Sequence, residues 1–439
     1  MKIMSIKKEF STYIWIMRWI PLCVILLCFF SCKKEEPATP TIQIEWVGEN
    51  GPFGFGQSIS VSVEALLEGQ DRIEKITMQL CDPNQKVWLS ILETDQLPSA
   101  SFNGNLSIEL NDPYLPSGQY YIKVTAHTDH TSKSAFLDCT VLELAKKRKN
   151  IFVINNNGFA GAMIDTLSYG MQMGTWRSAL GPRNLPTVNS YNKTFWSCTL
   201  GQSTLEMMDI QNPYSELFSY PFAGSNDYFM DTSSDPADHS IWYSTQDGLR
   251  QFNKNGQFSQ WIQGDNQNHL CVTEKYLCVN QKIPGQPRRL KLYLKTTSSL
   301  IHSWVHGLDI VDMFDLNEMI GLITLNNGVY GVSLFDLETL LPINWHPLLG
   351  YSSNNFQCLT TGNGLWISDE NGLHHWDNQG EWINTWGDYH PSRMLTDETE
   401  PLLWMIDGGN LKGFQYLTQQ QVYQSADNGY SELAIGYNK

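Results

Sequence analysis

Two different patterns of apolar and polar positions run along the chain. Between residues 42 and 145 apolar residues alternate with polar ones at the period of a half-buried strand. Ile42, Ile44 and Trp46 face one way, and Gln43, Glu45 and Val47 the other. Ser58–Val63, Ile76–Leu80 and Ala135–Val141 repeat the alternation. Leu115–Gly118 is a turn, and Gln119–Val124 is the strand leaving it. From residue 150 the chain instead repeats a unit of strand, Gly turn, strand, turn, strand. Ile241–Trp242–Tyr243–Ser244–Thr245–Gln246–Asp247–Gly248–Leu249 aligns without a gap on Leu365–Trp366–Ile367–Ser368–Asp369–Glu370–Asn371–Gly372–Leu373, 124 residues later. That offset is close to three periods of 41. A late aromatic in each unit gives the count: Trp176, Tyr220, Trp261, Trp304, Trp345, Trp386 and Tyr423, at intervals of 44, 41, 43, 41, 41 and 37.

Four short strands fit one such interval, so each unit is expected to be a propeller blade, and seven units close a ring with few exposed edges. The fold class is therefore all-β: an N-terminal Ig-like β-sandwich over 42–145, then a seven-bladed β-propeller over 150–430. The sandwich rests on about seven short strands in a hundred residues, and Leu115–Ala126 resembles the penultimate hairpin of bacterial Ig-like domains. The repeat resembles the two-component-regulator-type propeller repeat, an apolar–Trp–Ile strand followed by Asn/Asp–Gly–Leu. The match is good at Gly364–Trp376 and Ile241–Phe252, and recognisable at Met319–Phe335 and Leu402–Phe414. In that family the propeller is a sensing module joined to a kinase; no kinase pattern occurs in this chain, so signalling is not carried over. Lys146–Lys147–Arg148–Lys149 reads as a solvated linker (146–149), and residues 431–439 as a C-terminal tail. The first blade has the weakest markers, which leaves room for a ring closed by strands from both ends.

The N-terminus reads as an address. Met1–Arg18 is a basic leader, and Trp19–Phe30 is an uncharged apolar core of 12 residues. That is short for a bilayer span, which favours a secretory signal (1–31) over an uncleaved anchor helix. Phe29–Phe30–Ser31–Cys32 resembles a bacterial lipobox, with Cys32 the lipidated residue; Phe30 departs from its usual smaller residue. Residues 32–41 form a charged, Pro-rich tether. Cys32 followed by Lys33–Lys34–Glu35–Glu36 resembles the export signal of surface lipoproteins in the Bacteroidota. The resemblance implies an outer-membrane lipoprotein of the cell envelope, held to the membrane by its lipid anchor and exposed at the cell surface.

Composition adds two constraints. Aromatic residues make up 12% of the chain, with 33 Gly and 19 Pro, which favours short strands and turns over long helices. The net charge is −16. Without the four basic and one acidic side chains of the first 31 residues, 25 basic and 44 acidic groups remain, near −19. Such a surface repels phosphate backbones, which argues against a nucleic-acid partner.

Chemistry is sparse. No nucleophile elbow, metalloprotease helix, P-loop, dinucleotide fingerprint or calcium loop occurs. No catalytic residue, metal site or cofactor is therefore assigned. His127–Thr128–Asp129–His130 reads as a polar loop. His374 and His375 are neighbours on a strand and point to opposite faces. Cys271 and Cys278 bracket a tight turn and are expected to face each other as small buried side chains. Propellers bind on a face around the central channel. The candidates are loop residues combining aromatics with amides and carboxylates: Tyr351, Asn354 and Asn355; Asp369 and Asn371; and Asp388, Tyr389 and His390. The turn Thr245–Gln246–Asp247 belongs with them. Such platforms suit a protein or glycan partner. The expected function is a non-catalytic binding platform. The alternative is an extracellular polysaccharide lyase or hydrolase with its site in the channel.

Overall fold

The computed structural model describes residues 38–438, except 70, 94, 96, 157–160, 201–203, 213, 222–228, 236, 265–266, 317–318, 348–356, 362–363, 370–371, 377–381 and 427–428. The leader and Cys32 lie outside the described residues. Every regular element among the described residues is a β-strand, and the sheets pair antiparallel throughout. The chain divides into two compact units, residues 1–145 and 146–439.

The first unit has seven strands: β1 (Thr41–Trp46), β2 (Ser58–Leu66), β3 (Lys75–Cys81), β4 (Val87–Glu93), β5 (Ser101–Glu109), β6 (Gly118–His127) and β7 (Ser132–Val141). They form two sheets, ordered β1-β2-β5 and β4-β3-β6-β7. The alternation read from the sequence sends one face of each sheet inward. Ile59, Val61 and Val63 of β2 meet Ile76, Met78 and Leu80 of β3, with Ile122 and Val124 of β6, in one core. Each such side chain contributes about 1.5–3 kcal/mol on burial. The Tyr120 hydroxyl donates to the Pro116 carbonyl at 3.0 Å and pins the turn that opens β6. The His127–His130 segment ends β6 and turns into β7; His127 Nε2 lies 3.1 Å from Thr77 Oγ1.

The second unit begins with β8 (Arg148–Asn156), β9 (Gly161–Ser168) and β10 (Met173–Leu180). β11 (Arg183–Asn189), β12 (Thr194–Thr199), β13 (Thr204–Asp209) and β14 (Glu216–Pro221) follow as a second sheet. The third comprises β15 (Phe229–Ser234), β16 (Ile241–Thr245), β17 (Gly248–Phe252) and β18 (Phe258–Gln263). The fourth comprises β19 (Gln267–Val272), β20 (Tyr276–Gln281), β21 (Arg288–Leu294) and β22 (Ser299–His306). Next come β23 (Asp309–Asp315), β24 (Met319–Asn326), β25 (Val329–Asp336) and β26 (Pro342–Pro347). Then come β27 (Gln357–Thr361), β28 (Gly364–Asp369), β29 (Gly372–Trp376) and β30 (Trp382–Trp386). The last full sheet is β31 (Pro391–Thr396), β32 (Leu402–Asp407), β33 (Asn410–Gln415) and β34 (Gln420–Gln424). Strand β35 (Tyr430–Tyr437) returns to pair with β8 and completes the first sheet. The inner strands β35, β11, β15, β19, β23, β27 and β31 each pack against the next, and β31 packs against β35. The sheets thus follow one another in a closed, propeller-like order.

The repeat residues explain themselves in this arrangement. Trp196, Trp242, Trp366 and Trp404 on the second strands are the largest fully buried side chains. Gly248 has φ +144°, and a Cβ there would lie 2.1 Å from the Ile262 carbonyl oxygen on the outer strand. Gly372 repeats this at φ +128°, with the Trp386 carbonyl oxygen 2.8 Å away. Trp176, Tyr220, Trp261, Trp304, Trp345, Trp386 and Tyr423 each fall on the outer strand of a different sheet. Each of those strands also carries a register shift, which twists an exposed edge away from further pairing.

Two boundaries differ from the sequence reading. The expected tail is no tail over residues 431–437: Tyr430, Leu433, Ala434 and Tyr437 are buried, and β35 occupies an inner position. The last aromatic marker precedes β35, so the period ends before the strand that closes the ring. The segment 146–149 is not wholly a solvated linker either. Arg148 opens β8 with its side chain fully buried 2.8 Å from Asp397, while Lys147 and Lys149 are exposed. A buried carboxylate compensates the charge that had suggested solvent.

Candidate functional site: the channel between the inner strands

The inner strands place charged side chains in the channel through a shared device. In β15, β23, β31 and β35 one extra residue breaks the register immediately before a charged one: Asp231, Asp312, Arg393 and Glu432. A bulge of this kind re-aims the side chain that follows it. Arg393 and Glu432 form a two-pronged pair, with Nε–Oε2 at 2.8 Å and Nη2–Oε1 at 2.9 Å. Asp231 accepts the Thr232 amide and, across to the next inner strand, the Leu270 amide, both at 2.8 Å. Asp312 accepts the Met313 amide at 2.8 Å. Burial pushes the Asp231 carboxyl up to about 6. Burial, reinforced by the charge of Asp231, pushes Asp312 up to about 7. His269, beside Leu270, is pushed down to about 4 by burial and is neutral at pH 7.

Further along the same strands a cavity of about 460 Å³ opens at the C-terminal ends of β11, β15, β31 and β35. Thr187, Asn189, Ser190, Thr232, Ser233, Ser234 and Thr396 supply hydroxyls and an amide. Val188, Ile241, Leu395, Leu433 and Ile435 supply apolar walls. The ionisable lining groups have partners. Lys146 pairs with Glu398, and its Nζ sits 4.4 Å from the centre of the Tyr437 ring. Asp235 pairs with Lys295 at 2.6 Å; burial raises its carboxyl, against the pull of that lysine. The Tyr437 hydroxyl accepts the Glu398 amide at 3.0 Å, and burial raises its pKa. His239 is held at φ +59° with its ring stacked 5.3 Å from Tyr191, and burial lowers its pKa. A non-glycine residue in this backbone region is uncommon and marks a place where the surroundings hold a strained conformation.

The residues singled out from the sequence fall elsewhere. Tyr351, Asn354, Asn355 and Asn371 lie outside the described residues, and Asp369 is described only as the last residue of β28. Asp388 and His390 are exposed in the connection before β31; the His390 amide donates to Asp407 Oδ1 at 2.8 Å. Tyr389 is half-buried, edge-on to Phe414 at 4.8 Å and 6.2 Å from Trp386, which is packing. In the turn after β16, Thr245 Oγ1 donates to Asp247 Oδ1 and approaches the Gly248 carbonyl, and Asp247 pairs with Arg250. Thr245 pairs with Phe229 at the start of β15, whereas Ser234 at its end pairs with Ile241. The Thr245 turn and the 387–390 connection therefore lie at the N-terminal ends of the inner strands, and the cavity at the other end.

His374 and His375 diverge, His374 to Thr385 Oγ1 at 2.9 Å and His375 stacked 4.1 Å from Trp366. Cys271 and Cys278 are register partners, both buried free thiols. Among the described residues no group of three or more His, Cys, Asp or Glu is placed to hold a metal ion.

The channel residues had a signal in the sequence. Phe229–Met230–Asp231, Ile310–Val311–Asp312, Pro391–Ser392–Arg393 and Tyr430–Ser431–Glu432 share one pattern, with charged residues 81, 81 and 39 apart.

No protein-family model matches the chain, and no curated protein does. Solved structures of limited similarity exist. A dihydro-heme d1 dehydrogenase, NirN, solved in complex with DHE, is 11% identical at a TM-score of 0.41 over 55% of each chain; this chain spans about half its length. The hydrazine synthase of Kuenenia stuttgartiensis is 10% identical at 0.47, over 65% of this chain and 98% of that one. A functionally unknown protein from Desulfotomaculum acetoxidans is 13% identical at 0.48, over 66% and 99%. At these scores the likeness identifies neither a partner nor a reaction for this chain.

Proposed function

We propose that this protein is an envelope lipoprotein, anchored to the outer membrane through Cys32, whose propeller is a non-catalytic binding platform for a glycan or another envelope protein. In this reading residues 42–145 are an Ig-like sandwich and the second unit is a seven-bladed propeller. The sheet order β1-β2-β5 against β4-β3-β6-β7 and the Tyr120–Pro116 hydrogen bond support the Ig-like assignment. The closed order of four-stranded sheets supports the blade count.

The observation that carries the binding reading is the cavity at the C-terminal ends of the inner strands. It has the size of small-molecule sites, roughly 300–1,000 Å³. Its lysine and carboxylates are taken up in ion pairs, while hydroxyls line the rest. That suits holding a polar partner better than moving a proton. One observation favours the enzyme reading: Asp231 and Asp312 are held near neutral pH in the channel, the range of a general acid or base. A glycan array and an affinity pull-down with the purified protein, followed by product analysis on every polysaccharide retained, separate the two. Retention without cleavage supports the platform. Turnover abolished by Asp312→Asn would sink it. For the anchor, Cys32→Ser is expected to release the protein from the membrane fraction; a variant as membrane-bound as the parent removes lipidation at that position.

A further inference from the structure

We propose that the cavity bounded by β31, β35, β11 and β15 takes the anionic end of a carbohydrate chain, a sugar bearing a carboxylate or a sulfate. This rests on the binding-platform reading and adds the class of ligand.

The chain as a whole is strongly acidic and two carboxylates line this cavity, but Glu398 is paired with Lys146 and Asp235 with Lys295, and three further lysines stand round it. Lys146 lines the cavity. Lys193 Nζ donates to the Ser190 and Asn438 carbonyls, both at 2.7 Å, and Ser190 lines it too. Lys254 Nζ donates to the Tyr191 hydroxyl at 3.0 Å and lies 4.2 Å from the centre of that ring, which stacks on the cavity residue His239. Lys149 is close enough to add to the burial that lowers the pKa of Lys193. Among the described residues only Lys146 of these four has a carboxylate partner, Glu398. Carbonyl oxygens hold Lys193, and the Tyr191 hydroxyl and ring face hold Lys254, without cancelling their charge.

Like charges gathered in this way are costly unless an anion joins them. Asp235 and Glu398 oppose such an anion weakly while paired with lysines, and the distant acidic surface is screened beyond about 8 Å at physiological salt. The rest of the lining selects a sugar. Ser234 and Thr396 can each donate and accept, as sugar hydroxyls require. Leu395 and Leu433 offer apolar surface to the C–H face of a ring. A nucleic acid would instead need a basic groove tracking several phosphates.

The test is titration calorimetry of the full chain with oligogalacturonate, a sulfated oligosaccharide and a neutral dextran oligosaccharide of equal length. The first two arms separate carboxylate from sulfate. The expected result is binding of at least one acidic oligosaccharide and none of the neutral one. Affinity should fall about tenfold or more at high salt and by a similar factor in Lys254→Gln, the behaviour of a charge-steered contact. Lys193→Gln should weaken binding and Lys193→Arg retain it, which separates charge from fold. Ser234→Trp should abolish binding by filling the cavity. Equal affinity for the neutral oligosaccharide, or lysine variants that bind as the parent does, would overturn the proposal. A neutral glycan or a protein blocked by Ser234→Trp overturns the anionic assignment and leaves the platform standing. Absence of any partner overturns both.

Discussion

Replacing Asp397 by Asn should cost this protein about 3 kcal/mol of stability. Arg148 opens β8, and Asp397 follows β31 in the neighbouring sheet, where the C-terminal strand completes the ring. Both side chains are fully buried, with Nε 2.8 Å from Oδ2. The approach is off the hydrogen-bond axis, so the attraction is chiefly Coulombic. The guanidinium also faces Trp404 at 4.9 Å. Orphaning one member of a buried pair costs about 3–5 kcal/mol. Glu400 lies 3.8 Å from Nη2 and is partly exposed, so it compensates a little and sets the lower end of that range. Removing the cation should cost less, about 2 kcal/mol, because Asp397 Oδ1 keeps the Thr399 amide at 2.8 Å and hydroxyl at 2.7 Å. The double variant Arg148→Met/Asp397→Asn should be no worse than Asp397→Asn alone, a coupling of about 2 kcal/mol or more. Urea unfolding followed by tryptophan fluorescence reads this directly, since Trp196, Trp242, Trp366 and Trp404 are buried reporters of the ring. A loss below about 1 kcal/mol for Asp397→Asn, or single effects that simply add, would refute the reasoning.

Three further outcomes follow from the same geometry. Gly248→Ala should destabilise by more than about 2 kcal/mol, because its Cβ meets a carbonyl oxygen at 2.1 Å; Gly285→Ala, at φ +78° with open space, should cost about 1 kcal/mol in the same unfolding assay. Asp312 has a folded pKa near 7, above its unfolded value, so its contribution is greatest at low pH and is lost as pH rises from about 4 through 7. Asp312→Asn should therefore gain stability relative to the parent at pH 7.5 but not at pH 4; equal differences at both pH values would contradict this. Burial raises the Cys271 thiol, and its partner Cys278 adds to the shift. Native protein should leave both thiols unmodified by iodoacetamide on the timescale at which urea-unfolded protein reacts fully, as mass spectrometry would show.

How far the sequence foretold this molecule depended on which residues repeat. Trp242 and Trp366, with Gly248 and Gly372, serve packing and close backbone approach, and any strand–turn–strand unit that uses them must keep them. They were therefore visible by internal comparison alone. β35 was not, because it follows Tyr423, the last of the late aromatics that mark the units. Arg148 was misjudged for a different reason: a run of four basic residues looks solvated until the chain brings up Asp397, 249 residues away. The cavity is illegible in the sequence for a third reason. It is assembled from Thr187, Thr232, Thr396 and Tyr437, which are unremarkable singly and meet only when four inner strands converge. The aromatic-rich loops drew attention instead, and Tyr389 among them packs against Phe414.

The most direct test of the central claim compares the glycan-array and pull-down profile of the parent with that of Ser234→Trp. Ser234 lies at the exposed end of β15 and lines the cavity, so an indole there fills the site without disturbing a core residue. The parent is expected to retain its partner uncleaved, and the variant to lose it by about a hundredfold while unfolding at the same urea concentration. An unchanged profile in the variant, or cleavage of the retained glycan by the parent, would contradict it.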